Sequence, residues 1–239
     1  IRLSLVGSEM CIRDRTQTQQ LVAAVTSITP TEHGIIATLS KRVIRRQGDK
    51  ALMAGAGAML AASLRRIQDK DVIALFDGLS KSTPGASLSL DVTHFRGSVA
   101  YLLTDNETAY GPAPLPLRAD LHIEQISDII LDISDVGTTN RPAGFSDELL
   151  QRWWRGSDRL YGVQVFHGGN IERDSDNDSK GAIFNEMAMV MVMANDAEAT
   201  EEDDNSLRAV ELGIFQEWSE SEQADVFGVE VYSDTTSTL

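Results

Sequence analysis

The strongest hydrophobic periodicity in the chain runs from Asp49 to Gly78. Leu52, Ala56, Met59 with Leu60, Leu64 and Ile67 recur at helical spacing, and Val72, Leu75 and Phe76 resume the stripe after the polar step Gln68–Asp71. Asp49 suits the N-cap, whose side chain accepts an otherwise unpaired backbone N–H, and Gly78 suits the C-terminal stop. The pattern predicts one long helix, or two nearly collinear ones, spanning about 40 Å at ~1.5 Å per residue. Gly55 and Gly57 each cost such a helix about 1 kcal/mol relative to Ala, a cost that close packing against a strand or another helix would explain.

Shorter elements flank it. Thr16 to Arg46 reads as extended, with Gly34–Arg46 rich in β-branched residues and ending in the basic cluster Lys41, Arg42, Arg45 and Arg46. Such a cluster is either a solvated edge strand that deters unwanted pairing or a contact with an acidic surface on a neighbouring copy. Asp91–Leu103 predicts a second helix and Leu115–Leu121 a buried strand. Ile123–Ile133 predicts a helix with Ile126, Ile129, Ile130 and Ile133 on one face. FSDELLQRWWRG predicts an amphipathic helix behind Ser146, LYGVQVFHGGNI a short strand, and Gly181–Asn195 a strand or hairpin. Ser206–Trp218, a turn at SESEQ and Val226–Tyr232 predict a closing β-hairpin. MAMVMVMA alternates Met and Val or Ala and reads as a buried strand, and no long-period repeat is present.

Composition adds bounds. The 239 residues are 42% hydrophobic and 24% charged, as expected of a folded chain with ample core. No stretch approaches the ~18 apolar residues of a membrane helix, so no membrane partner is expected. The formal charge of −15 repels phosphate backbones, so a sequence-specific nucleic-acid reader is not expected. Residues 1–15, IRLSLVGSEMCIRDR, resemble a translated sequencing-adapter string and are set aside as non-native, with the native N-terminal arm expected to be missing. The single cysteine, Cys11, lies in that run, which removes disulfides, thiolate metal sites and a cysteine nucleophile from the expectations.

Catalytic constellations are absent at the level of motif. His33, His94, His122 and His167 are widely separated and make no metal-ligand spacing, and no GxSxG elbow occurs. GAGAML lacks the GK[ST] of a phosphate loop and sits inside the long helix, so it reads as a small-residue packing face. In RDSDNDSKG, Asp174, Asp176 and Asp178 occupy positions 1, 3 and 5 of a calcium loop, but Ser179 and Asn185 replace its Gly and Glu, so a hydrated surface loop is the better reading. EATEEDD, Glu198–Asp204, reads as a solvated loop. Trp153 and Trp154 point about 100° apart on a helix and cannot form one stacking platform. No catalytic, cofactor or metal residue is expected.

Six segments, in order, resemble the major capsid proteins of tailed bacteriophages, whose fold is named after phage Hong Kong 97. They are TPTEHGIIATLS, LRRIQDKDVIALFDGLS with its "DxDxxALFxG" close, LRADLHIEQISDI with an "LHPxQ"-like motif in which Ile123 replaces the proline, LYGVQVFHGGNI, GAIFNEMAM, and the stretch from Asp203 that ends in "GVxVxxD". The resemblance implies an α+β subunit: 16–46 as the second half of an extended loop, 47–110 as a peripheral domain with a spine helix, 111–200 as an axial domain, and 201–239 as closing strands of the peripheral domain. It implies hexamers and pentamers of the chain itself, joined by scaffold and portal proteins, closing into an icosahedral head around double-stranded DNA. That role requires no enzyme, and Lys41, Arg42, Arg45 and Arg46 would then lie at a subunit contact. An encapsulin-like compartment shell and, from another class, an acidic hydrolase are the alternatives.

Overall fold

The computed structural model describes residues 28–47, 49–104, 111–134 and 159–236. The run 1–15, most of the extended stretch expected before Pro30 and the helix expected around Trp153 and Trp154 lie outside them. In chain order the elements are β1 (Thr31–Ser40), α1 (Lys41–Gln47), α2 (Asp49–Ala74), a 3-10 turn (Leu75–Gly78), β2 (Ser82–Pro84), α3 (Val92–Leu103), β3 (Leu117–Leu121), α4 (Ile123–Ser134), β4 (Arg159–Leu160), β5 (Val163–His167), β6 (Asp178–Asn185), β7 (Met189–Met193), β8 (Glu198–Asp204), β9 (Ala209–Glu222), a second 3-10 turn (Asp225–Phe227) and β10 (Gly228–Asp234). This is an α+β architecture. Among the described residues no helix is long and apolar enough to cross a membrane.

The strands form two sheets. The six-stranded sheet runs β2-β10-β6-β3-β5-β4, while in the four-stranded sheet β9 is central, with β1 along one edge and β7 and β8 end to end along the other. The main core belongs to the six-stranded sheet. Leu117, Leu121, Ile183 and Val231 of its strands pack against Phe95, Val99 and Leu102 of α3 and Ile126 and Ile129 of α4. The opposite face of β6 meets the end of the long helix, where Ala182 packs on Phe76 and Leu79.

Local chemistry explains the elements that the sequence predicted. Asp91 caps α3 by accepting the His94 N–H at 2.6 Å. At the start of α4 the His122 N–H donates to Gln125 Oε1 at 2.9 Å, and His122 Nδ1 accepts the Glu124 N–H, a reciprocal capping box. Ile123 stands at the first helical position, where a proline would be tolerated because its missing N–H has no partner there in any case. Gln125 is fully buried and its amide donates to Ser179 O, Val231 O and Ser233 Oγ, tying the β3–α4 corner to β6 and β10.

The polar step Gln68–Asp71 is what joins the long helix to both sheets. Successive side chains on a helix radiate about 100° apart. Gln68 and Asp71 face β9, with Gln68 bonding Gln216 at 2.8 Å and Asp71 accepting the Trp218 indole N–H at 3.1 Å. Asp69 and Lys70 face the loop after β5, pairing with Asn170 and Glu172, and Asp77 pairs with Lys180 of β6.

Several elements differ from the sequence reading. The run Lys41–Arg46 is helical and does not extend the strand, because Ser40 Oγ accepts the Arg42 N–H and Ile44 turns inward. LYGVQVFHGGNI is two strands, β4 and β5, around Tyr161 and Gly162, both at positive φ. Gly181–Asn195 is not a hairpin, since β6 and β7 enter different sheets. SESE continues β9 because β7 supplies a partner from Met189↔Glu222 to Val192↔Ser219. The hairpin is therefore β8–β9, whereas β10 pairs with β2 and β6. EATEEDD is the strand β8, its backbone paired to β9 while most of its carboxylates stay in water. The methionine strand is only half-buried, with Met193 exposed. Space is open around the Cβ positions of Gly55 and Gly57, so close packing within the subunit does not account for them.

Candidate assembly interface

The basic cluster forms where β1 ends. Leu39 and Ser40 complete the pairing with Val210 and Ala209, and the Lys41 N–H then donates to Arg208 O at 2.9 Å. The chain turns into α1, which leaves Arg42, Arg45 and Arg46 exposed. Arg45 and Arg46 lie in its last turn, where cations complement the partial negative charge of the helix C-terminus. Opposite them the β8–β9 turn is held by Asp204, whose Oδ1 accepts the N–H groups of Ser206 at 2.7 Å and Leu207 at 3.2 Å. Hydrogen bonds from the Ser206 hydroxyl and these amides hold the Asp204 carboxyl below its usual range.

Together the two segments wall an open cleft of about 840 Å³ lined by Lys41, Arg42, Arg45, Arg46, Asn205, Leu207 and Arg208, with Ser40 at its edge. The structure thus brings the four predicted residues into one site and adds Arg208, which sequence reasoning missed because its turn is distant along the chain. The signal was present in DDNSLR, a turn sequence followed at once by the strand antiparallel to β1. Lys41 is engaged by Asp203 at 2.9 Å. Among the described residues Arg42, Arg45 and Arg46 form no ion pair. Exposed Val43 and Leu207 place apolar surface among these charges.

The other chemical candidates stay apart. His33 stacks on Trp218 with ring centroids 3.9 Å apart, and His94 Nδ1 lies 2.8 Å from Asp91. Burial, with Arg173 nearby, lowers the pKa of His122. A second groove, about 390 Å³, lies between α2 and the loop after β5 and is lined by the Lys70, Asp77, Glu172 and Lys180 pairs. Neither cleft contains a histidine. The Asp174–Asp178 turn is closed by protein groups: Asp174 Oδ1 accepts the Asp176 and Asp178 N–H groups, Tyr232 donates to Asp174, and buried Asp178 accepts the Ser87 N–H. Among the described residues no group of three His, Cys, Asp or Glu could hold a metal ion. Asp120 Oδ1 is buried without a hydrogen-bond partner, and its pKa is pushed up to about 6 by burial and by Asp69 across the helix–sheet seam.

No protein-family model matches the chain, and no curated protein matches it. Solved structures do. The chain is similar to a structure from Mycobacterium phage Che8, with a TM-score of 0.59 and 14% identity over 89% of this chain and 76% of that one. It is similar to the head structure of Helicobacter pylori bacteriophage KHP40, with a TM-score of 0.63 and 10% identity over 87% and 75% of the two chains. It is also similar to the SrpI encapsulin of Synechococcus elongatus, with a TM-score of 0.62 and 9% identity over 87% and 75%. These likenesses establish the fold, which is the Hong Kong 97-type capsid fold expected from the sequence.

Proposed function

We propose that this chain is the major capsid protein of a tailed bacteriophage, a structural subunit that assembles with copies of itself into the icosahedral head around double-stranded DNA. The observation that carries the reading is the fold, shared over most of the chain with the phage head and capsid structures. Hexamers and pentamers form in the host cytoplasm, with scaffold and portal proteins as assembly partners, and the protein ends in the virion head. In the expected division 16–46 is the extended loop, 47–110 and 201–239 the peripheral domain and 111–200 the axial domain; two elements cross it, since β10 lies between β2 and β6 of the six-stranded sheet and β7 pairs with β9 of the four-stranded one. Lys41, Arg42, Arg45 and Arg46 meet an acidic surface of a neighbouring copy. The work is distributed over many repeated contacts that sum by symmetry, and no catalytic residue takes part.

Support also comes from exposed surface: no described element covers one face of the four-stranded sheet, which carries carboxylates around an apolar centre, and the basic cleft stands open at its end. An encapsulin-like compartment shell is the second reading, favoured by the likeness to the Synechococcus encapsulin. Negative-stain microscopy of the full-length gene product, with any scaffold protein of the same gene cluster supplied, is expected to show closed particles tens of nanometres across. Monomers alone would defeat both readings. Neighbouring terminase and portal genes separate a phage head from a compartment, which would sit beside a ferritin-like or peroxidase cargo gene.

A further inference from the structure

The four-stranded sheet has an inner face, on which α2 lies, and an outer face that no described element covers. Strand alternation and register assign the side chains. On the inner side are His33, Ile35, Leu212, Ile214 and Trp218. Paired across the strands on the outer side are Ile36 with Gly213, Gly34 with Phe215, Glu32 with Glu217, and Thr38 with Glu211. β8 adds Glu198 opposite Phe215 and Glu202 opposite Glu211.

The centre of this outer face is flat and apolar. A Cβ at Gly34 would stand 2.3 Å from the Phe215 ring and one at Gly213 would stand 2.6 Å from it, so the ring lies across the backbone of both glycines. Ile36 beside it is 58% exposed. Around this centre stand Glu32, Glu198, Glu202 and Glu211. The basic cleft has the inverse character: Lys41, Arg42, Arg45, Arg46 and Arg208 line it together with Leu207, which is 65% exposed. An apolar centre with a charged rim is the anatomy of a specific protein contact, and here two such patches carry opposite charge.

We infer that the outer face, around Phe215 and Ile36, is the surface on which α1 and the β8–β9 turn of a second copy dock. This rests on the assembly reading above and names the acidic partner of its basic cluster. The centre of the face is out of reach of the subunit's own cleft, which lies beyond Ala209, about 20 Å along β9 from Phe215, and α1 packs on α2, which lies on the inner face. The contact is head-to-tail, using different patches on the two copies, and so propagates into a ring when the rotation between copies closes.

The test uses two variants of the chain, R45E/R46E and E202R/E211R, and sedimentation velocity at low salt. Each variant alone is expected to weaken self-association by about tenfold or more, since like charges then face each other. An equimolar mixture restores it, because each copy contributes the intact patch the other lacks and the two reversed patches also match. Circular dichroism of each variant checks that α1 and β8 are intact, and restoration in the mixture is a result that misfolded copies would not give. Self-association of the unaltered chain that neither variant weakens would overturn this inference and leave the assembly reading standing. Weakening that the mixture fails to restore would also overturn it, in favour of a contact between like patches. No self-association by the unaltered chain at any concentration, together with no particles in the microscope, would overturn both.

Discussion

The two sheets differ in how much of their surface the subunit covers for itself. In the six-stranded sheet, β6 lies between two layers: Ile183 faces the α3–α4 core and Ala182 faces Phe76 and Leu79, all of them buried. β10 beside it holds Val229 and Val231 at 1% and 0% exposure. In the four-stranded sheet, β1 alternates half-buried with exposed positions from Glu32 to Ser40, and β8 is mostly exposed. Trp218 is its one member among the largest fully buried side chains. One sheet is the folding core of the monomer. The other is held to α2 by a tryptophan, two polar contacts and a thin apolar layer, and no described element covers its outer face.

A matched pair of truncations tests that difference most severely. Ile183→Ala removes a side chain enclosed on every side and is expected to cost about 3 kcal/mol, whereas Ile35→Ala on half-buried β1 costs about 1 kcal/mol. Denaturant unfolding of both variants measures the gap, and equal losses would erase the distinction. Gln125→Leu follows in size. It deprives the carbonyls of Ser179 and Val231 and the Ser233 hydroxyl of a buried donor and removes the capping acceptor of the His122 N–H, an expected loss of about 2–3 kcal/mol. A drop in thermal midpoint too small to resolve would show that this corner is held by packing alone.

The same division explains what could be read from the sequence. The bounds of α2 with its 3-10 end, of α3 and of α4 were legible, because caps and 3.6-residue periodicity are local and these helices bury apolar stripes. β3 was legible to within two residues for the same reason. In the four-stranded sheet β1, the methionine strand and most of β9 were legible as strands, whereas β8, the end of β9 and the pairing were not. EATEEDD and SESE carry the polar composition of loops, yet each is strand, since an uncovered sheet face is polar and only the partner strand marks it as sheet. Partner choice is non-local: nothing near Ser219–Glu222 announces β7, and the chain leaves β9 for the other sheet where an adjacent hairpin was expected. The candidate site was half legible. Lys41, Arg42, Arg45 and Arg46 stand together in sequence, but Arg208 and Leu207 join them only through the β1–β9 and β8–β9 registers.

Asp120 reads the seam between the two regions. It lies on β3 of the six-stranded sheet, and after burial the largest cause of its raised pKa is Asp69 on α2. The folded pKa is about 6 against an ordinary 3.8, so at intermediate pH the folded state binds more protons than the unfolded. The stability this group contributes is fully present below pH 3.8 and is lost as pH rises through about 6. Solvent reaches part of the carboxyl and screens the effect to about 1 kcal/mol. Asp120→Asn is therefore expected to raise the thermal midpoint at pH 7.5 and to raise it less at pH 5. An equal gain at both values would show that the seam is not under electrostatic strain.

The smallest expected effect on folding is also the sharpest test of the comparison. Ile36 stands on the outer face of the four-stranded sheet, more than half exposed, opposite Gly213 and beside the Phe215 ring. Its removal opens no cavity and leaves no polar group unpaired. Ile36→Ser is expected to change unfolding free energy by no more than about 0.5 kcal/mol, the scale of a surface substitution. If the face exists to be covered by a second copy, the same change weakens self-association, because the apolar centre of the patch is lost while its carboxylate rim remains. A folding loss as large as that of Ile35→Ala would mean that the outer face already works for the monomer, and the contrast between a self-sufficient sheet and a shared one would fail at its most exposed residue.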